Sequence, residues 1–318
     1  MRAIVFDQDS AFRQAELDEP APGPGEVAVR VAYAGLQWGD VMLREGAFPV
    51  PRPFVPGFEA AGRISAVGEG VPAARLGEPV AVLATGGAFA QTVVVPALFA
   101  VPAGELALTA GAGAGWSTPT AYDLVTEVAR VRPGDRVLIH GAAGGVGTMA
   151  AQFARQAGAG QLTGIASTPE RARYAEQFGY DEVLLRADFP AALGERRFDA
   201  VLDPVGGRTR RQSLALLAPH GRLALYGVID GAGEPVTADT TALLMAGQSV
   251  LGYSSNLLYG TRPEALAATA RAALAEVAAG RARIDVTALY RPDELPRAIE
   301  DLGSGAVLGK ALLDLTGW

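Results

Sequence analysis

Two rhythms of apolar residues divide this chain. Up to about residue 115, short apolar runs alternate with period two and are cut repeatedly by Gly and Pro. Residues 3–6 and 26–31 read as strands, the second following the rigid turn Pro20-Ala21-Pro22-Gly23-Pro24-Gly25. Further strands are expected at 62–67, 79–83 and 90–96, with a short helix over 38–44. A small, partly open barrel accommodates such a series. Around residues 111–115 the rhythm changes, and a helix over 118–128 leads to the turn Arg132-Pro133-Gly134-Asp135. Strands at 136–140, 162–166, 182–185, 199–203, 221–227 and 249–253 then alternate with helices, the pattern of a doubly wound parallel sheet. Among these, Thr168 followed by Pro169 marks the start of a helix running to about residue 178. The tail holds a long helix over 261–279, a strand at 284–290, a helix over 293–302 and a strand at 306–315. It can complete the first domain rather than form a third.

The stretch Arg136 to Ala157, RVLIHGAAGGVGTMAAQFARQA, organises the second part. A short apolar strand meets a glycine turn, Gly141 to Gly147, and the turn opens a helix. Glycines allow a tight bend and close backbone approach to a pyrophosphate, and a helix N-terminus offers unpaired N–H groups and a positive dipole end. An ordinary glycine-rich β–α turn has the same local sequence, but the strand-helix series that follows is what a dinucleotide site requires. The acid that binds a ribose hydroxyl is expected about 20 residues further on. That place holds Ala166-Ser167-Thr168-Pro169-Glu170-Arg171, with no acid at the strand end. Small hydroxyls and Arg171 suit a 2′-phosphate, so Ser167 and Arg171 point to NADPH.

Composition narrows the chemistry. Twenty-seven basic against 34 acidic residues leave a net charge of −7, which argues against a nucleic-acid surface. Cys is absent, so disulfides and thiolate metal sites are excluded, and His140 and His220 are the only histidines. The start MRAIVFDQDS reads as a strand rather than a leader, and apolar stretches are broken before they span a bilayer. The expectation is a soluble, cytoplasmic protein.

His140-Gly141-Ala142-Ala143-Gly144-Gly145-Val146-Gly147 resembles the turn of the zinc-independent quinone oxidoreductases, the ζ-crystallin-like and enoyl reductase branch of the medium-chain dehydrogenases/reductases. The segments 132–135, Asp203-Pro204-Val205-Gly206-Gly207 and Leu308-Gly309-Lys310 are similar to recurrent family segments. In Val55-Pro56-Gly57-Phe58-Glu59, Phe58 stands where zinc-dependent relatives carry His, so no metal is expected. The resemblance implies an α/β fold with a GroES-like β-rich catalytic domain from both chain ends, 1–116 and 253–318. A doubly wound Rossmann NADP-binding domain, 117–252, lies between them in sequence.

By matching position, Gly144, Gly145, Val146 and Gly147 resemble the pyrophosphate turn, and Arg171 resembles the lysine that meets the 2′-phosphate. Thr120 resembles a threonine near the nicotinamide, though a helix N-terminal hydroxyl is an equal reading. Tyr226, Gly227 and Gly252 lie at strand ends facing the cofactor, and Lys310 returns towards it unless it is a surface lysine. The segment 35–48 matches a family stretch in which Asp40, Arg44 and Gly46 are kept, while Gln37, Met42 and Phe48 replace an Asn and two Tyr. Gln37, Asp40 and Arg44 are therefore candidate catalytic residues in a more apolar mouth; a surface ion pair is the alternative for Asp40 and Arg44.

The implied reaction is zinc-free hydride transfer from NADPH to a quinone or an α,β-unsaturated carbonyl. Arg44, a Tyr hydroxyl or backbone N–H groups would polarise the carbonyl, and water, Tyr253 or Tyr259 would deliver the proton. An enoyl-thioester reductase and a non-catalytic NADPH-binding sensor or structural protein are the alternatives. Relatives commonly dimerise through the cofactor-domain sheet edge, here Val250 to Tyr253, so a homodimer is expected.

Overall fold

The structure, a computed structural model, describes residues 1–8, 11–47, 50–229 and 235–318. The chain forms two compact units, one from Met1–Pro119 with Asn256–Trp318 and one from Thr120–Ser255. Among the described residues no helix is long and apolar enough to cross a membrane.

The discontinuous unit is built on the strand Glu26–Leu36, which is buried along most of both faces. It pairs antiparallel with Glu59–Val67, with Thr92–Pro96 and with the C-terminal strand Lys310–Asp314. Two register shifts, between Ala28 and Val29 and between Val31 and Tyr33, let one strand serve several partners by bending it. Seven strands join this sheet, and the two chain ends meet in it, Ala311 opposite Leu36. Val27, Val29, Ile64, Val82 and Leu313 form the centre of its core. The helix Leu295–Ser304 covers one side with Leu295, Ala298 and Ile299, the i, i+3, i+4 spacing of one helical face. The helix Pro263–Ala278 begins on a proline and buries Leu266, Ala270, Leu274 and Val277 along one stripe.

The second unit is a six-stranded parallel sheet. Its order is Glu182–Leu185, Gln161–Ala166, Arg136–His140, Phe198–Asp203, Leu217–Leu225 and Ser249–Gly252. In order of appearance that is 3-2-1-4-5-6, with a reversal of direction beside Arg136–His140, where such sheets bind dinucleotides. Val137, Leu138 and Ile139 are fully buried because helices cover both sheet faces.

The pattern anticipated these strands closely, and three differences have physical causes. The fifth strand begins at Leu217, since its first residue pairs with Phe198 across a register shift. The helix at 118–128 is regular only over Ser117–Asp123 and widens to a π-helical segment over Leu124–Val128, where Ala129 N–H donates to Leu124 O at 2.8 Å. The strand Phe12–Glu16 is largely exposed and has no apolar alternation, so only its pairing with Arg2–Phe6 creates it.

Candidate active site

The central strand ends on His140, buried and 2.8 Å from Ser213 Oγ through Nε2. Burial pushes its imidazole down to about 4, which keeps it neutral near pH 7, as a core side chain. The chain then turns at Gly141, with φ +69°, and Ala142 N–H returns to Ile165 O at 3.0 Å. The helix Gly145–Gln156 starts from an extended Gly144 that has no side chain to cap it, and no acid occupies its first turn. The N–H groups of that turn have no acceptor within the helix, and Gly144, Gly145 and Val146 are half-buried. A Cβ at Gly147 would overlap the Gly141 carbonyl oxygen, so glycine is obligatory there. At Gly144 the same atom would meet only Gly141 O, at 3.4 Å, leaving room over the turn. Uncapped donors, open backbone and no opposing carboxylate fit a pyrophosphate.

A second device holds the neighbouring strand ends. Asp203 closes Phe198–Asp203 and is fully buried. Its Oδ1 accepts Val205 N–H at 2.6 Å and Gly206 N–H at 3.1 Å, and Oδ2 accepts Arg210 Nε–H at 2.8 Å. Arg210 Nη2 also donates to Gly227 O at 2.7 Å, and Tyr226 N–H to Asp203 O at 3.1 Å. Asp203 and Arg210 thus set Tyr226 and Gly227. The family segment drew attention to Asp203, but Arg210 was missed. An arginine in the first turn of the helix after a strand-ending Asp-Pro-x-Gly-Gly was the available signal. Burial pushes the Tyr226 phenol well above its ordinary range, so it stays neutral.

Ser167 is exposed at the end of Gln161–Ala166, and Thr168 caps the next helix, accepting Arg171 N–H at 3.3 Å. Arg171 lies half-buried beyond it. Burial draws its guanidinium down, partly offset by Tyr174 and Glu170, and it remains a cation.

Thr120 and Tyr253 come together. Tyr253 follows Ser249–Gly252, and its Oη donates to Asp123 Oδ2 at 3.0 Å while also bonding to the Thr120 side chain. Burial, then Asp123, pushes this phenol far above its ordinary range. A phenol donating to a carboxylate is a weak proton source, which counts against Tyr253 as the proton donor. Gly252 is exposed, and nothing lies within 4 Å of where its Cβ would be.

In the other unit, Gln37 precedes the helix Trp38–Arg44 and is half-buried. Asp40 is completely buried, and its Oδ2 accepts Gln37 N–H at 2.9 Å while Oδ1 has no partner. Burial, reinforced by Glu59, pushes its carboxyl up to about 8, so it is protonated at neutral pH. Arg44 does not meet Asp40. It sits exposed, 3.7 Å from Glu300, in a surface pair of small energetic value. Lys310, expected on the cofactor, is instead buried; its Nζ pairs with Glu59 and donates to Leu36 O at 3.1 Å. Glu59 Oε2 accepts Trp116 N–H at 2.7 Å, and the Trp116 indole N–H donates to Phe58 O at 2.6 Å. Met42 is half-buried, and Phe48 lies outside the described residues.

Residues 145–271 match the family described as zinc-binding dehydrogenase, and residues 23–105 match the alcohol dehydrogenase GroES-like domain. Quinone oxidoreductase from Pseudomonas aeruginosa is 33% identical, with 93% of each chain covered. The chain belongs to the quinone oxidoreductase branch of the medium-chain dehydrogenases/reductases. Within this superfamily, 2-haloacrylate reductase from Burkholderia is 36% identical over 74% of this chain and 75% of its own. The human synaptic vesicle membrane protein VAT-1 homolog is 28% identical over 98% of this chain and 86% of its own. Quinone oxidoreductase from Thermus thermophilus, solved also in complex with NADPH, matches with a TM-score of 0.84 at 31% identity, covering 99% of this chain and 100% of that one. The chain is accordingly an oxidoreductase with a GroES-like domain and a Rossmann-type domain.

Proposed function

We propose that this protein binds NADPH at the 141–147 turn and reduces quinones or α,β-unsaturated carbonyl compounds without zinc. The observation that carries the reading is the uncapped helix N-terminus at Gly145, set on the central strand at the reversal of the parallel sheet. When bound, NADPH supplies a hydride, and the protein contributes position, charge and exclusion of water. Gly145, Val146 and Gly147 offer the pyrophosphate their backbone N–H groups, while Gly144, whose own N–H donates to Gly141 O at 3.0 Å, lets it approach the turn closely. Ser167 and Arg171 take the 2′-phosphate. Tyr226, Gly227, Gly252 and Thr120 border the nicotinamide end, with Asp203, Arg210, Asp123 and Tyr253 fixing those strand and helix ends. Gln37 meets the electron acceptor. The poor acidity of Tyr253 supports water as the proton source.

Metal-free chemistry is supported by the donor set. Phe58 has no ligating atom, the chain has no Cys, and the Glu59 carboxylate is committed to Lys310 and Trp116. These residues do not fit a catalytic zinc. The 2-haloacrylate reductase relative supports activated alkenes alongside quinones as acceptors.

The test is NADPH and NADH oxidation against a panel of quinones, enones, haloacrylates and enoyl thioesters, with products identified. Turnover of quinones or enones with a preference for NADPH is expected, and it should survive exhaustive chelation. Turnover only of thioesters supports an enoyl-thioester reductase, and tight NADPH binding without turnover supports a sensor. A homodimer is part of the proposal. Ser249–Gly252 is an edge strand with half of its residues exposed, and Leu244 and Met245 nearby are 77% and 82% exposed. Leu244→Glu with Met245→Glu should turn a sedimenting dimer into a monomer; sedimentation unchanged by the pair places any interface elsewhere.

A further inference from the structure

Lys310 and Asp40 were both expected to touch ligands, yet both point into the core, where they grip a single peptide bond. The carbonyl oxygen of Leu36 accepts from Lys310 Nζ at 3.1 Å. The N–H of Gln37, the other half of that peptide, donates to Asp40 Oδ2 at 2.9 Å. Glu59 joins the group by pairing with Lys310 and accepting Trp116 N–H at 2.7 Å. The cluster is closely fitted. A Cβ at Gly35 would come within 2.6 Å of Glu59 Oε1, and one at Gly115 would overlap the Glu59 side chain. Two glycines from separate segments therefore make room for a buried carboxylate. Burying an ion pair stabilises a fold poorly against apolar replacement, so a built one invites a reason beyond stability.

We propose that Lys310, Glu59 and Asp40 are positioning residues, which clamp the Leu36–Gln37 peptide and thereby aim the Gln37 side chain at the electron acceptor. The proposal rests on the reading above, in which Gln37 meets that acceptor. Lys310 supplies the cation that orients the carbonyl, Glu59 holds the lysine, and Asp40 fixes the amide. With both polar groups of the peptide held, rotation of the peptide plane is blocked. Gln37 then presents its amide from a fixed backbone, as a preorganised binding group requires.

The wild-type enzyme is compared with Lys310→Met, Lys310→Arg, Gln37→Ala and the Lys310→Met/Gln37→Ala pair. In Lys310→Met, kcat/KM for the acceptor should fall about tenfold or more, chiefly through KM, while the Kd for NADPH changes less than about twofold. Lys310→Arg should restore most of the loss. Gln37→Ala should lower kcat/KM in the wild-type background and add less than about twofold in the Lys310→Met background, because the aim it depends on is already lost. Additive losses, unchanged acceptor kinetics, or a loss confined to NADPH affinity would each overturn the proposal, the last returning Lys310 to the cofactor. Lys310→Met leaves Glu59 buried without its cation, so the Glu59→Gln/Lys310→Met pair is read in its place where the single variant does not fold. Independently of any variant, the Gln37 amide of the wild-type protein should exchange on the order of 100-fold more slowly than an open amide. Unprotected exchange would end the clamp. A wild-type protein that reduces no acceptor defeats the functional reading, whereas the exchange result speaks to the clamp alone.

Discussion

Asp40→Asn is expected to stabilise the protein at neutral pH and to flatten its pH dependence. The Asp40 carboxyl is fully buried and raised from 3.8 to about 8, first by burial and then by Glu59. The folded chain therefore keeps a proton that the unfolded chain releases above pH 3.8. Stability from this group is complete below pH 3.8 and is lost as the pH rises towards 8. At about 1.4 kcal/mol per pH unit, holding that proton at pH 7 costs about 4 kcal/mol relative to acid. An Asn amide does not titrate, but its NH2 enters a site where Asp40 Oδ1 has no partner, which costs about 1–3 kcal/mol. The net gain at pH 7 is then about 1–3 kcal/mol. The charged groups facing Asp40 are Glu59 and Lys310 from the sheet; on the helix packed against Trp38–Arg44, Glu300 turns to Arg44. Trp38, Trp116 and Trp318 all belong to the unit that carries Asp40, so their fluorescence reports its unfolding. Urea titrations between about pH 5 and 7 should show wild-type stability falling, relative to Asp40→Asn, by about 1.4 kcal/mol per unit. The difference between the two proteins removes other titrations, including His140, which burial lowers to about 4 and which acts in the opposite direction. Parallel stability curves would mean that Asp40 is ionised in the folded protein and would refute the reasoning.

Three further outcomes follow from the site. Gly144→Ala should fold normally, since its φ of −87° suits any residue and the added Cβ has room, yet weaken NADPH by about tenfold or more by intruding on the turn; titration with unchanged affinity would move the pyrophosphate elsewhere. Arg171→Ala should cost about 1.5–3 kcal/mol of NADPH affinity and little of NADH affinity, whereas equal losses would remove the 2′-phosphate role. Tyr253→Phe should lower kcat less than about tenfold, because the phenol is held as a donor to Asp123; a loss of about 100-fold or more would restore it as the proton donor.

Much of this architecture is legible in the linear chain because local rules carry it. Branched apolar runs mark the strands of a sheet buried on both faces, Thr168-Pro169 marks a helix start, and the spaced glycines of 141–147 mark a turn the structure builds with a positive φ at Gly141. The short helix Trp38–Arg44 is equally plain, with Asp40 and Arg44 four residues apart. That spacing predicts neighbours on a surface, and here it misled. Asp40 lies on the inner side of the helix because Val41 and Leu43 are buried with it, while Arg44 stays outside near Glu300.

By itself, the sequence determined the order of the elements, the parallel series, the glycine turn, and the absence of any thiolate or of a histidine at position 58. Those properties depend on backbone propensity, on periodicity and on residue identity, all of which are local. Only the tertiary structure decided what the polar side chains do. Lys310 and Glu59 are 251 residues apart in the chain and meet because the C-terminal strand pairs with Glu26–Leu36, whose other neighbour carries Glu59. Tyr253 reaches Asp123 across 130 residues. A buried charge must find its partner wherever the fold supplies one, and long-range strand pairing, which no local pattern encodes, makes that choice.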